Sequence, residues 1–180
     1  MQRGQHSTDS DGLTLRPARA DDERFLYEVY ASTRIEELAP LGWDDAQREE
    51  FLTMQFRAQH DYYHAQFPDA DYDLIVLDGR TIGRRYVHRR EDEIKLLDIA
   101  LLPEHRNRGL GTKLTEQLLA EAAGAGLPVR LHVEQFNPAR RLYERFGFRP
   151  AQEDGIYLLM EWEPGAGAGV REAVGVEPAH

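Results

Sequence analysis

Arg106-Asn107-Arg108-Gly109-Leu110-Gly111 is the stretch on which the reading of this chain turns, because of what flanks it. Before it runs an apolar strand pattern, Ile94-Lys95-Leu96-Leu97-Asp98-Ile99-Ala100-Leu101-Leu102, closed by Pro103. After it comes an amphipathic helix pattern with Leu110, Leu114, Leu118 and Ala122 at helical spacing. A strand that turns through an Arg/Gly-rich loop into a helix aims the N–H groups of the helix start at whatever sits on the loop. Glycines let a ligand come close to the backbone there, and the helix dipole favours an anion. The pattern predicts a phosphate cradle. By itself Arg-x-x-Gly-x-Gly is equally compatible with an ordinary strand–helix turn.

A second strand pattern, Val129-Arg130-Leu131-His132-Val133-Glu134, lies downstream. It is followed by Asn137-Pro138-Ala139-Arg140-Arg141-Leu142-Tyr143-Glu144-Arg145-Phe146-Gly147-Phe148. With both motifs in this order, the chain resembles the GNAT superfamily of acyl-CoA-dependent N-acetyltransferases over roughly residues 13–162. The resemblance implies an α/β (α+β) fold: a mixed, mostly antiparallel twisted sheet of about seven strands flanked by four helices. It also implies an acetyl-CoA cosubstrate, with the loop Arg106, Asn107, Arg108, Gly109, Leu110, Gly111 and Thr112 on its pyrophosphate. Main-chain groups of Ile99, Ala100 and Leu101 would meet the pantetheine arm, with a Leu101 N–H on the thioester oxyanion. Asn137 and Tyr143 would complete the acyl-CoA site. Asn137 stands six residues before Tyr143, one fewer than the family's commoner spacing, and Pro138 follows it directly.

Other glycine-loop chemistries do not match. A Rossmann fingerprint needs a glycine where Leu114 stands, and a Walker loop needs Gly-Lys-Ser/Thr where the order is Gly111-Thr112-Lys113. Covalent acyl-enzyme chemistry lacks a nucleophile: there is no cysteine, and the serines are Ser7, Ser10 and Ser32, none in a nucleophile elbow. Direct transfer within a ternary complex is the expected route.

Tyr143 at its motif position is the expected proton donor to the departing thiolate, since a phenol ordinarily titrates above a thiol. The competing reading is a core aromatic beside Phe146 and Phe148. An attacking ammonium must first lose a proton, and three side chains are candidate bases: His132 in mid-strand, Glu134 two residues on and so on the same face, and Asp98 in an otherwise apolar strand. Ordered water is the alternative to all three. His60 and His64 stand four apart on a predicted helix, but without an acidic third ligand they read as a packing pair, and no metal is expected.

The length of 180 residues suits one domain with a single substantial core. Residues 1–12 and 164–180 read as flexible tails around an acyltransferase domain at 13–163. The net charge of −10 argues against nucleic acid as a partner. Apolar runs are only a few residues long, against the about 20 needed to cross a bilayer, so no membrane partner is expected. With no signal-like start and no cysteine, the default location is cytoplasmic.

The expected acceptor is a primary amine, on a small molecule or a protein, and the reading leaves room for a homodimer. The resemblance implies that residues 32–43, with Arg34, Glu36, Glu37 and Trp43, shape the acceptor pocket together with strand residues such as Tyr86 and His132. The competing function is a non-catalytic acyl-CoA-binding module on the same fold.

Hydrophobic periodicity and turn signals predict the order β-α-α-β-β-β-α-β-α-β-β. Strands are expected at residues 13–16, 71–77, 81–89, 94–102, 129–134, 148–152 and 156–162, with helices at 21–38, 44–67, 110–124 and 138–146. Asp44 and Gln47 form a capping-box pattern at the start of the second helix, whose apolar arc takes in Phe51, Leu52, Met54, Phe56, Ala58, Tyr62 and Tyr63. Asp78-Gly79 is the dipeptide of a type I′ hairpin turn.

Overall fold

The computed structural model describes residues 12–165. The expected tails, 1–12 and 164–180, lie outside the described residues except at 12, 164 and 165. Seven strands form one sheet in the order β1-β2-β3-β4-β5-β7-β6, and the described residues include four α-helices. The elements run β1 (Leu13–Pro17), α1 (Glu23–Leu38), α2 (Asp45–Gln66), β2 (Asp71–Leu77), β3 (Arg80–Arg89), β4 (Ile94–Leu101), α3 (Leu110–Ala125), β5 (Val129–Glu134), α4 (Ala139–Arg145), β6 (Arg149–Asp154) and β7 (Tyr157–Trp162). The order is the one expected. Two compact units divide the chain, the first running through Arg89 and including Leu97–Gly111, the second comprising Arg90–Leu96 and the chain from Thr112 onward.

In the first unit β1 pairs antiparallel with β2, and β2 with β3. The β2–β3 connection is Asp78-Gly79, both with positive φ (49° and 79°), as a type I′ turn requires. The β2–β3 register slips between Ile75, opposite Gly83, and Val76, opposite Thr81, so Ile82 is the extra residue of a bulge. Leu26, Tyr30, Leu38, Leu52, Phe56, Leu74 and Tyr86 form a buried cluster.

At the start of α2 the capping box is present: Asp44 Oδ1 accepts from the Gln47 N–H at 2.8 Å, and Gln47 Oε1 from the Asp44 N–H at 3.1 Å. The apolar arc of α2 is narrower than expected. Leu52 and Phe56 are buried and Phe51 and Tyr63 partly so, while Met54, Ala58 and Tyr62 are exposed. At about 100° per residue, Met54 lies roughly 200° from Leu52 and Tyr62 roughly 240° from Phe56, on the far side of the helix.

In the second unit the start of β4 pairs in parallel with β5, Ile94 to Leu96 against Val129 to Leu131. β5 pairs antiparallel with β7, and β7 with the outermost strand, β6. The buried residues alternate along β5 and β7, and α3 buries Leu114, Leu118, Leu119 and Ala122 on one face. The helix closes one residue later than expected, with the Leu127 N–H on the Ala122 carbonyl at 2.9 Å.

One feature of the first unit sets a pH dependence. Arg16 on β1 grips Asp22 with two hydrogen bonds of 2.8 Å, and the Arg19 N–H donates to the same carboxylate. The Arg16 guanidinium, aided by that N–H and opposed by burial, holds the Asp22 carboxyl down at about 2. A depressed carboxyl pKa contributes stability that is present above the ordinary Asp value, about 4, and is lost as pH falls toward the folded value. Asp22→Asn is expected to lower the unfolding midpoint at neutral pH, and the gap to the parent should close between about pH 4 and pH 2. A gap that stays constant across that range in thermal melts would refute the assignment.

Candidate functional site

The second half of β4, from Leu97 to Leu101, lies beyond the ladder that β4 makes with β5, which ends at Leu96. Its other neighbour approaches very closely. A Cβ placed on Gly83 of β3 would collide with the Ala100 carbonyl oxygen and crowd the Leu101 Cα, at 3.1 Å. Only glycine fits this position next to the bulge, and the Leu102 N–H donates to the Ile82 carbonyl at 2.8 Å beside it. Ile99, Ala100 and Leu101 are all half-buried.

From Leu101 the chain passes a short 3-10 turn (Pro103–His105) and enters the loop. Asn107 adopts φ 57° and Gly109 φ 77°, after which α3 begins at Leu110. Apart from Gly109 and its two chain neighbours, no atom of the described residues lies within 4 Å of where a Gly109 Cβ would sit. Asn107, Arg108 and Gly109 are exposed, and Arg108 Nη1 lies 3.5 Å from His105 Nδ1. The loop therefore has open backbone, two left-handed residues and a helix start behind it, which is a fit for a phosphate group. The Arg106 side chain, expected near the phosphates, has two partners within the protein. Its guanidinium turns back, donating from Nε to the Leu101 carbonyl at 2.9 Å and from Nη2 to Ser32 Oγ at 3.1 Å.

Asp98, a candidate base, faces Arg84. Arg84 Nε lies 2.7 Å from Asp98 Oδ2, with its N–H not aimed along that line, so the contact is an ion pair more than a hydrogen bond. Arg84 is 3% exposed, donates from Nη2 to Gln59 Oε1 at 2.9 Å, and lies over the rings of Tyr30 and Tyr86 at 5.9 and 5.1 Å. Burial works to discharge this guanidinium, but Asp98 and the nearby Tyr86 and Tyr63 outweigh it and hold its pKa above the ordinary arginine value. Asp98 thus neutralises a buried cation.

The expected acceptor residues are dispersed in character. Tyr86 is a buried core residue, Arg34 pairs with Glu37 at 3.1 Å, Glu36 is exposed, and Trp43 packs edge-on against Phe51 at 5.1 Å. The His60 and His64 rings lie tilted at 4.2 Å from one another, and His64 stacks on Tyr72 at 4.1 Å. Among the described residues no group of three or more His, Cys, Asp or Glu could hold a metal.

The second unit carries the remaining residues. Thr112 lies in the first turn of α3. His132 is exposed on β5 opposite Leu159, and Glu134, half-buried, sits opposite Tyr157, so both share the face that Val129, Leu131 and Val133 leave. The third member of that face, Arg130, is held by Glu93 at 2.7 Å and Glu161 at 2.8 Å. Asn137 Oδ1 accepts from the Ala139 N–H at 2.9 Å at the entry to α4. Tyr143 is 5% exposed, with its ring edge-on to Phe148 at 5.5 Å and its carbonyl accepting from the Phe148 N–H at 3.1 Å.

The first unit thus gathers Asp98, Ile99, Ala100, Leu101 and the loop from Arg106 to Gly111. The second contains Thr112, His132, Glu134, Asn137 and Tyr143. Sequence reasoning missed Gly83, Arg84 and Ser32. A glycine within a strand pattern was the available signal for Gly83. An arginine at a core-facing strand position was the signal for Arg84. Nothing local marks Ser32.

Residues 33–148 match the acetyltransferase (GNAT) family model. A Bacillus subtilis protein assigned as a ribosomal protein bS18-alanine N-acetyltransferase is 31% identical over 94 residues; the alignment spans 49% of this chain and 62% of that protein, less than two thirds of its length. The fold matches the PaiA N-acetyltransferase of Thermoplasma acidophilum in complex with coenzyme A, with a TM-score of 0.63 and 20% identity over 84% of this chain and 98% of that one. It also matches the ribosomal-protein-S18-alanine N-acetyltransferase of Escherichia coli, with a TM-score of 0.56 and 21% identity over 84% and 94% of the two chains. No helix among the described residues is long and apolar enough to cross a membrane. With its strand–loop–helix cradle, its strand order and its match to the family model over most of its length, the chain belongs to the GNAT acetyltransferase family.

Proposed function

We propose that residues 13–163 form an N-acetyltransferase domain that moves the acetyl group of acetyl-CoA to a primary amine, by direct transfer in a ternary complex. The observation that carries this reading is the loop between β4 and α3, with Asn107 and Gly109 left-handed and open space at Gly109. Backbone N–H groups from Arg108 to Thr112 would hold the pyrophosphate, and the main chain of Ile99, Ala100 and Leu101 the pantetheine arm. The Leu101 N–H would steady the oxyanion.

In the transfer, the neutral amine attacks the thioester carbonyl, the C–S bond breaks, the nitrogen loses a proton to a base and the thiolate takes one from an acid. Tyr143 is our acid, and His132 or Glu134, which share one strand face, is the base, with ordered water as the remaining route. Asp98 is assigned to Arg84 instead. The likeness to ribosomal protein alanine acetyltransferases makes a protein α-amine the first acceptor class to test.

The test supplies acetyl-CoA with peptides bearing N-terminal alanine, peptides bearing lysine, and small aliphatic amines, and follows free thiol. Thiol release that depends on the amine, greatest with the alanine peptide, is the expected result. Calorimetric binding of acetyl-CoA without release for any amine would favour the non-catalytic binding module.

A further inference from the structure

Arg106 stands at the root of the phosphate loop, yet its guanidinium faces away from it. The Nε–H donates to the Leu101 carbonyl at 2.9 Å, at the end of β4, and an Nη–H donates to Ser32 Oγ at 3.1 Å, across 74 residues of sequence. The Ser32 hydroxyl donates in turn to the Val29 carbonyl at 2.7 Å, inside α1. A hydroxyl has one proton to give and lone pairs to receive with. With its proton on Val29, the Ser32 oxygen is oriented as an acceptor for Arg106. The bonds are therefore mutually consistent: Arg106 donates both ways, to β4 and to Ser32, and Ser32 gives its own proton to α1.

Each end of this chain of bonds meets a segment of bent backbone. Just beyond Arg106 lie Asn107 and Gly109, whose left-handed backbone gives the loop its bend. Beyond Ser32, α1 runs through Leu38 into a 3-10 turn (Ala39–Leu41) and the left-handed Gly42, which together make the arm that leads into α2. A serine in mid-helix that bonds back to the preceding turn brings no helix stability of its own. Its hydroxyl is explained by the arginine it receives.

We infer that Arg106 is a positioning residue that couples the phosphate loop to α1 through Ser32, so that loading the loop with a coenzyme A phosphate group stiffens the arm between α1 and α2. This inference rests on the acyl-CoA reading above. It makes donor binding favour a more ordered arm, and by reciprocity any ligand that orders the arm tightens donor binding.

The experiment is hydrogen–deuterium exchange on the full chain with and without coenzyme A, in the parent, Ser32→Ala and Ser32→Thr. Alanine is the best helix former, so the first variant keeps α1, and threonine restores the hydroxyl. In the parent, coenzyme A is expected to slow exchange by about fivefold or more in both residues 106–112 and residues 32–41. Ser32→Ala should keep the effect in 106–112 and lose it in 32–41, and Ser32→Thr should restore it. Undiminished protection of 32–41 in Ser32→Ala overturns the coupling while leaving acyl-CoA binding intact, and a Ser32→Thr that behaves like Ser32→Ala overturns the hydroxyl's part in it. If coenzyme A protects neither segment in the parent, the acyl-CoA reading falls and the coupling with it.

Discussion

Asp98→Ala is expected to destabilise the protein by about 3 kcal/mol, at the lower end of what breaking one side of a buried ion pair costs. The reason is the partner it leaves behind. Arg84 is 3% exposed and would keep its charge with only the Gln59 oxygen and the rings of Tyr30 and Tyr86 around it. Those contacts soften the loss but supply no opposite charge. Asp98→Asn keeps the shape and an acceptor oxygen and should cost less, and the double variant Arg84→Met with Asp98→Leu should recover much of the loss, because no charge is then stranded. Urea unfolding of the three variants checks the ordering. A change within about 0.5 kcal/mol for Asp98→Ala, the range of an ordinary surface substitution, would show that the pair contributes little and reopen Asp98 as the base. The same variant, assayed where it is still folded, separates the roles further: a neutraliser of Arg84 leaves the pH dependence of turnover unmoved, whereas a base removes its acidic limb.

This pair also marks where reading the sequence reached its end. Local chemistry was legible. The Asp44/Gln47 box, the Asp78-Gly79 turn and the strand–loop–helix around Gly109 each state their structure within a few residues, and all are found where expected. Relations between strands and helices were not legible. Asp98 in an apolar strand gives no hint of its ion-pair partner, Arg84 of β3. Arg106 in a phosphate motif gives no hint that Ser32 and Leu101 take hydrogen bonds from its guanidinium.

Gly83 is a similar case, since its need for a bare backbone is created by Ala100 and Leu101. The outermost strand, β6, shows the limit from the other side. Expected to stop at residue 152, it continues to Asp154 with every residue exposed, carried by its ladder to β7 and by no apolar alternation. Composition could not reveal that extent, because the strand depends on pairing and not on burial.

Tyr143→Phe is the second variant expected to have a large effect, and it removes a single oxygen. The ring is fixed by its surroundings: it is 5% exposed, edge-on to Phe148, and sits in α4, whose end is closed by the Phe148 N–H on the Tyr143 carbonyl. Phenylalanine retains the ring's volume and the backbone bond, so the fold and the affinity for acetyl-CoA should stay close to the parent's. Turnover should not. General acid catalysis contributes about 100-fold to 10,000-fold, and a thiolate that must leave without a positioned proton forfeits that factor in kcat. The expected result is a fall of about 100-fold or more in kcat, with KM for acetyl-CoA little changed, since the lost interaction forms only as the thiolate departs. The chemistry also predicts that a thioester with a more acidic leaving thiol should suffer less from the substitution than acetyl-CoA does, because its thiolate needs the proton less. If kcat is unchanged with both donors, Tyr143 is a core aromatic, and the proton that reaches the sulfur comes from elsewhere.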